Sequence, residues 1–252
     1  LEQLEETGLR DNTVVVFTSD HGEMMGERGM WFKQCFWEWS ARVPLVISDR
    51  RTTQATRIQS NCSLVDLLPT FVALAGGGDG PLAPTISEMA GHSLVPLLSG
   101  ETGQWSDCVI ADYLAIGPCV PCRMVKKGTF KYIFTYGRPD LLFDLGADPN
   151  ELVNLAEDAT YLPVLSELQG ICMRGYNPEA LMAKIVTSQR RRSFIANLPG
   201  KKPNWDYIAF QGDSDRYVRR DGVDATKSRL QLPRAETVAP DLPARSSAPI
   251  DR

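Results

Sequence analysis

The chain has 252 residues, of which 43% are hydrophobic and 23% are charged, and its formal net charge is -4 at pH 7. This composition is typical of a soluble globular protein, and it excludes a wholly disordered chain. It also excludes a protein whose overall positive charge attracts it to nucleic acid. The sequence has no apolar run of the about 20 residues that a membrane helix needs. We therefore expect neither a nucleic-acid partner nor a membrane partner.

The first predicted elements form an α/β unit. Residues 1–9 place leucines among polar residues, as the end of an amphipathic helix does, and Gly8 is a stop signal. Residues 13–18 are β-branched and apolar without alternation, which predicts a strand buried on both faces of a parallel sheet. Because the chain opens with Leu1 inside a helix, we expect it to be the back part of a longer protein.

The next elements divide into a continuation of the α/β part and a small sheet. Residues 42–47 predict a second buried strand, and the apolar spacing of residues 61–75 predicts a helix despite Pro69. After Trp105 the apolar pattern has a period of two, which predicts a small antiparallel sheet. Its strands are expected at residues 109–113, 123–126, 129–134 and 141–145.

Asp20 and His21 follow the first predicted strand and are the leading candidates for a functional site. In open α/β sheets, ligands bind just beyond the carboxyl ends of the strands. The Asp20 carboxylate suits Ca²⁺ or Mg²⁺, whereas the His21 imidazole favours Mn²⁺ or Zn²⁺. Both side chains can turn toward one ion if the loop bends at Gly22. The alternative is a solvent-facing turn in which Asp20 caps the next segment.

Lys33 is a second candidate, because it is a lone cation beside Trp31 and Phe32. An ammonium among apolar groups can hold an oxyanion with little competition from water. The alternative is that Lys33 only extends out of an apolar patch into solvent.

The chain resembles a known family at several motifs. Residues 13–47, TVVVFTSDHGEMMGERGMWFKQCFWEWSARVPLVI, resemble the second half of a type I sulfatase of the alkaline phosphatase superfamily. Residues 142–156, LFDLGADPNELVNLA, are similar to the segment that closes the small carboxy-terminal sheet of those enzymes. The motifs GERGMWFK, SARVP, TSQRRRSFI and NWDY are most similar to choline sulfatases. The resemblance implies an α/β, alkaline-phosphatase-like sandwich, here its carboxy-terminal part with a small antiparallel sheet and a helical tail.

The resemblance also implies roles for four residues. Asp20 and His21 match the downstream pair of ligands to the active-site divalent metal ion, which is usually calcium (Ca²⁺), with manganese (Mn²⁺) as the alternative. Lys33 matches the lysine that contacts the sulfate oxygens, so it is expected to be both catalytic and substrate-binding. Asp112 falls where choline sulfatases carry a Glu that contacts the quaternary ammonium, and is expected to bind substrate although it is one methylene shorter.

The other aromatic and histidine residues of these motifs are given structural roles. Trp31, Trp37 and Trp39 would form a cation–π wall for choline under one interpretation, and pack in the core under the interpretation that we prefer. His92 lies in a segment that resembles a structural loop of the family, so we interpret it as non-catalytic.

The nucleophile of this family is a formylglycine made from the Cys of a Cys-x-Pro-x-Arg motif. Its hydrate attacks sulfur while the metal ion and the lysine neutralise the developing charge. Residues 119–123, Cys-Val-Pro-Cys-Arg, fit the pattern, but they follow the Asp–His pair and run into strand-patterned residues. We interpret them as a chance match and expect the formylglycine in a missing upstream part. The chain by itself is then expected to be inactive.

Four segments are predicted. Residues 1–105 are the carboxy-terminal part of the sulfatase catalytic α/β domain, residues 106–160 the small antiparallel sheet, residues 161–230 a choline-sulfatase-like carboxy-terminal extension, and residues 231–252 a disordered tail. The extension contains a helix from the Asn177 cap to about Ile195. Because residues around 205–224 match the tail that reaches a neighbouring subunit in this family, we expect a homo-oligomer formed through this tail.

Together these interpretations predict a sulfuric ester hydrolase that converts choline-O-sulfate, a small-molecule sulfate ester, to choline and sulfate. Six cysteines in a chain of this length do not form a disulfide framework, which favours a reducing compartment and a cytoplasmic location. One alternative is a phosphonate monoester or phosphodiester hydrolase of the same superfamily, which shares the metal pair and the lysine. Another is a non-catalytic assembly module.

Overall fold

The computed structural model describes residues 1–49, 55–76, 89–114 and 119–197. The chain divides into two units, of which the first contains Leu1–Tyr113 and Cys122–Arg174 and the second contains Leu114–Pro121 and Gly175–Arg252. All four predicted site residues lie in the first unit. The expected oligomerisation segment at 205–224 and the expected disordered tail at 231–252 lie outside the described residues.

The described helices and strands are as follows. The first unit contains helices α1 (Glu2–Glu6), α2 (Glu38–Ala41), α3 (Leu67–Leu74), α4 (Val95–Leu98) and α5 (Leu162–Met173), and 3-10 turns at Arg10–Asn12, Glu27–Gly29, Leu64–Asp66 and Ala159–Tyr161. Its strands are β1 (Val15–Thr18), β2 (Leu45–Ser48), β3 (Cys108–Tyr113), β4 (Cys122–Lys127), β5 (Phe130–Thr135) and β6 (Leu141–Asp144). The second unit contains helix α6 (Pro178–Ala196).

Strands β1 and β2 occur where the sequence predicts strands, but their predicted environment is wrong. They pair with each other in antiparallel orientation, with Phe17 opposite Val46. No further strand among the described residues joins this pair. Phe17 is 64% exposed and Val46 is 56% exposed, instead of being buried on both faces of a parallel sheet. An apolar strand pattern indicates that a segment is suited to burial, but burial also requires other elements that cover the sheet. In the described chain, one face of the β1–β2 pair has no such cover.

The predicted small antiparallel sheet is confirmed. Strands β3, β4, β5 and β6 are neighbours in chain order, and every pairing is antiparallel. Met124, Ile133 and Phe143 form a buried cluster on one face, against which Phe36 and Trp37 pack. Helix α5, which lies outside the predicted elements, packs against β4 and β5 and buries its own Leu165, Leu168 and Cys172. This packing attaches residues 36–37, which lie next to α2, to the small sheet.

Two helix starts follow from local capping. Helix α3 is preceded by a 3-10 turn whose Ser63 and Asp66 form a reciprocal capping box, and Pro69 fits because it lies in the first turn of α3. At the start of α6, the Asn177 side chain accepts a hydrogen bond of 2.8 Å from the Ala180 amide, as the sequence predicts. No helix within the described ranges is both long enough and apolar enough to cross a bilayer.

Candidate active site

The loop after β1 holds Asp20 and His21 through short-range hydrogen bonds. The Ser19 hydroxyl donates to the His21 carbonyl at 2.8 Å, and the His21 amide donates to Asp20 Oδ1 at 3.0 Å. The side chain of Asp20 is 85% exposed and that of His21 is 35% exposed. The loop thus fixes the backbone and leaves Asp20 Oδ2 open to a ligand.

The His21 ring has one defined tautomer. Nδ1 lies 2.7 Å from the Gly22 carbonyl oxygen, and since a carbonyl only accepts, Nδ1 carries the proton. In the neutral imidazole the lone pair is then on Nε2, which lies 3.4 Å from Asp20 Oδ2. In metal-binding histidines, the ring nitrogen that does not bind the metal usually donates a hydrogen bond of this kind, which fixes the tautomer and the ring orientation.

The separation of these two atoms fits a shared divalent ion. Two ligands at a right angle around a divalent ion such as Ca²⁺ or Mg²⁺ are about 3.0–3.4 Å apart. The described residues contain no group of three or more His, Cys, Asp or Glu side chains that could hold a metal. Asp20 and His21 therefore offer two ligands, fewer than the six to eight that Ca²⁺ takes.

Helix α2 supports this loop through its backbone. The amides of Gly22 and Glu23 donate to the carbonyls of Ser40 and Trp39, both at 2.8 Å. A Cβ atom on Gly22 would lie 2.0 Å from the Trp39 carbonyl oxygen, so only glycine allows this close approach. The predicted role of Gly22 is thereby modified: the residue is required for contact with α2, and it is not among the positive-φ glycines of the described chain.

Lys33 is attached to the same helix. The buried Ser40 hydroxyl donates to the Lys33 carbonyl, and the Cys35 amide donates to that carbonyl at 2.8 Å. The Lys33 side chain is exposed, and within the described ranges its ammonium has no ion-pair partner. An ammonium without an internal counter-ion is available to an anionic ligand. Both candidate loops are thus held by α2.

Asp112 lies on β3 and is already paired. Its carboxylate accepts two hydrogen bonds from Arg123, at 2.7 Å from Nε and 2.9 Å from Nη2. Arg123 Nη1 also donates to the Cys172 carbonyl at 3.0 Å. This fork-to-fork pair neutralises the Asp112 charge. Binding of a quaternary ammonium by Asp112 remains a prediction.

Residues 119–123, which fit the nucleophile motif, lead into β4, the second strand of the small sheet. Cys122 and Arg123 start β4, and Arg123 is engaged by Asp112 as described. Cys119 is exposed, whereas Cys122 is buried, and burial raises the pKa of the Cys122 thiol. The cysteine that the motif would convert to formylglycine is Cys119, so the interpretation of residues 119–123 as a chance match stays a prediction.

The tryptophans differ in environment. Trp37 packs at 5.4 Å from the Phe143 ring, and the Arg28 guanidinium lies 4.0 Å from its ring centroid. Trp37 is thus a packing residue, as preferred above, but Trp31 is 65% exposed and Trp39 is 58% exposed, so core packing is wrong for these two.

The second histidine has structural contacts. The His92 amide donates to the buried carboxylate of Asp66 at 2.8 Å, and the imidazole lies edge-on to Trp105. These contacts are compatible with the predicted non-catalytic role.

Three charged residues beside the site were not predicted. Lys131 on β5 is fully buried and forms ion pairs with Glu38 and Glu151. The one sequence signal for this cluster is Lys131 itself, because it is the only charged residue in the apolar run Phe130–Thr135. A carboxylate partner could not be predicted, since Glu38 and Glu151 are far from Lys131 in the sequence.

Comparison with known proteins identifies the family that the chain resembles. The family model for sulfatases matches residues 1–77. The choline-sulfatase of Rhizobium meliloti (strain 1021) is 35% identical over 243 residues, which cover 94% of this chain and 46% of that protein.

Solved structures agree with the sequence comparison. A 2-O GAG sulfatase matches with a TM-score of 0.58 and 29% identity, covering 79% of this chain and 41% of that one. The phosphonate monoester hydrolase of Silicibacter pomeroyi matches with a TM-score of 0.57 and 25% identity, covering 69% of this chain and 36% of that one. The chain therefore spans less than half the length of these relatives.

Proposed function

Because this chain belongs to the sulfatase family of the alkaline phosphatase superfamily, we propose that it contributes to the hydrolysis of a sulfate ester, with choline-O-sulfate as the substrate. The observation that carries the proposal is the 3.4 Å distance between two possible metal ligands, Nε2 of His21 and Oδ2 of Asp20, in a loop that shares its support with Lys33. The similarity to choline-sulfatase over 94% of the chain supports the choice of substrate.

Each residue has a role in this proposal. Asp20 and His21 would hold a divalent ion, calcium by preference and manganese as the alternative, and the Gly22 carbonyl keeps the His21 proton on Nδ1. When bound, such an ion would polarise the sulfate and offset its negative charge. The Lys33 ammonium donates hydrogen bonds to the sulfate oxygens and stabilises the charge that builds up as the ester bond breaks.

The nucleophile is proposed to come from outside these 252 residues. We assign the formylglycine of this family to no cysteine of the chain, and we expect the purified chain by itself to be inactive. All six cysteines are free thiols, which supports the proposed cytoplasmic location. Homo-oligomerisation through the tail also remains a proposal, because residues 205–224 lie outside the described ranges.

The proposal can be tested in a chimera. This chain would replace the 46% of the Rhizobium meliloti choline-sulfatase that it matches, so that the remaining part supplies the nucleophile. We expect the chimera to hydrolyse choline sulfate and the isolated chain to hydrolyse none. Turnover of choline sulfate by the isolated chain would contradict the proposed division of the site.

A second candidate is favoured by one observation, the similarity to a phosphonate monoester hydrolase at a TM-score of 0.57. The same chimera distinguishes the two when it is assayed on choline sulfate and on an aryl phosphonate. A higher kcat/KM for the phosphonate would support the second candidate.

Asp112 is proposed to contact the quaternary ammonium of choline, although Arg123 already neutralises its carboxylate. In the chimera, Asp112→Asn should raise KM for choline sulfate and leave KM for an aryl sulfate unchanged. Equal effects on KM for both substrates would indicate that Asp112 stabilises the sheet and does not bind choline.

A further inference from the structure

A buried ion cluster lies between the small sheet and the candidate active site. Lys131 has no exposed side-chain area, and its Nζ lies 2.6 Å from Glu38 Oε1 and 2.8 Å from Glu151 Oε1. It also donates to the Phe36 carbonyl at 2.7 Å. The three N–H groups of the ammonium therefore each have one acceptor.

The cluster also holds backbone atoms. Glu151 Oε2 accepts a hydrogen bond of 2.8 Å from the Glu38 amide, so one carboxylate contacts both Lys131 and the first residue of α2. Arg28 donates to the carbonyls of Asn150 and Glu151. Glu151 has a φ of 56°, an uncommon conformation for this residue type. These contacts bind the start of α2 to the loop after β6.

Helix α2 transmits this attachment to both candidate loops. It begins at Glu38, and its next two carbonyls accept the amides of Glu23 and Gly22. The hydroxyl of Ser40 holds the Lys33 carbonyl. One short helix thus connects the ion cluster to the loop of Asp20 and His21 and to the loop of Lys33.

A buried ion pair is an inefficient source of stability, because desolvation offsets most of its attraction, and apolar residues of similar volume often serve as well. Directional contacts to backbone atoms do what apolar packing cannot, since they define position within a few tenths of an ångström. The contacts to the Phe36 carbonyl and the Glu38 amide are of this kind.

We propose that Lys131 and Glu151 are positioning residues: through Glu38 and α2 they hold Asp20, His21 and Lys33 in their mutual arrangement. The inference rests on the proposed function for its catalytic meaning. Its structural claim is that the ion cluster is coupled to the two loops, and this claim can be tested without measuring enzymatic activity.

The most informative variant is Glu151→Gln. The carboxylate accepts from Lys131 with one oxygen and from the Glu38 amide with the other. A glutamine amide has one acceptor oxygen, so one of these two contacts must be lost. Glu38→Gln is a milder second variant at the edge of the cluster, where the side chain is 15% exposed. It keeps the test decisive if Glu151→Gln does not fold.

The matched control is Glu167→Gln. This substitution makes the same chemical change in an ion pair with Lys127 of the same sheet, but there both side chains are about half exposed. Exposed pairs contribute little to stability, so the control should behave as the unmodified chain does.

Hydrogen–deuterium exchange of the 252-residue chain, followed by mass spectrometry, supplies the readout. Loss of one charged contact should accelerate exchange about tenfold in peptides that contain the Gly22 and Glu23 amides. Peptides from β4 and β5 should remain unchanged in Glu38→Gln and in the Glu167→Gln control. Uniform acceleration in all peptides, or unchanged exchange at Gly22 and Glu23 in the folded variants, would overturn the proposal.

Activity of the chimera is the separate test of catalytic meaning. There, Glu38→Gln should lower kcat more than it raises KM for choline sulfate, because misplaced groups lose transition-state contacts. If exchange responds as expected but the unmodified chimera hydrolyses no sulfate ester, the proposed function fails and the coupling stands.

Discussion

Replacement of Gly22 by alanine tests the contact between α2 and residues 19–23, the candidate metal-binding loop. The new Cβ would lie 2.0 Å from the Trp39 carbonyl oxygen, whereas ordinary contacts begin near 3.4 Å. The loop must therefore move by about 1.4 Å, which breaks the 2.8 Å hydrogen bond between the Gly22 amide and the Ser40 carbonyl. Overpacking and the lost hydrogen bond should together cost about 2–4 kcal/mol.

The assay is urea denaturation followed by circular dichroism. At about 2 kcal/mol per molar urea, the midpoint for Gly22→Ala should fall by about 1–2 M. Gly170→Ala is the matched control, because no atom lies within 4 Å of a Cβ at that position in α5. Alanine there should raise the stability by about 0.5–1 kcal/mol. A Gly22→Ala midpoint equal to that of the unmodified chain would refute the close-contact argument.

Three further predictions concern separate features. In the chimera, Asp20→Asn should weaken calcium binding at least tenfold by calorimetry, because it removes a charged ligand, and unchanged affinity would exclude Asp20 as a ligand. Burial raises the pKa of the Cys172 thiol from 9.0 to about 11, so its thiolate fraction below pH 9 is about a hundredfold smaller and folded stability should fall as the pH rises from 9 to 11. Iodoacetamide labelling at pH 8 should accordingly modify the exposed Cys119 long before Cys172; equal rates would contradict this. Asn177→Ala should destabilise α6 by about 1 kcal/mol, measured as lost helical ellipticity, whereas an unchanged spectrum would deny the cap a role.

The small sheet could be predicted well because its information is local. Alternating apolar residues and short turns define β3 to β6, and the structure has each strand within two residues of its expected ends. The Asn177 cap is equally local. Helix α5 was missed, although Asp158, which caps the 3-10 turn just before it, and the spacing of its buried residues were available as signals.

The environment of β1 could not be predicted in the same way. Its apolar residues indicate a buried strand, but burial depends on what else covers the sheet, and the described chain leaves Phe17 exposed. The positions of Asp20 and His21 after this strand were predictable from the fold class. Their precise arrangement was not, because it depends on the Gly22 carbonyl and on α2.

The ion cluster shows the limit most clearly. Lys131, Glu38 and Glu151 are brought together by the docking of the small sheet against residues 36–38, which no local pattern describes. Motif similarity led to the candidate loops at residues 19–23 and 29–33, but it gave no account of what holds them.

The most direct test of the central claim is the kcat/KM of the chimera for choline sulfate with Lys33→Met, compared with Lys127→Met as the control. Lys127 is a half-exposed lysine of the small sheet whose partner is Glu167. If Lys33 stabilises the charge on sulfate, Lys33→Met should lose a factor of about 100–1000, as removal of a single transition-state hydrogen-bond donor does, and Lys127→Met should lose almost nothing. Equal activity of the two variants would contradict the assignment of this loop to a sulfate ester hydrolase site.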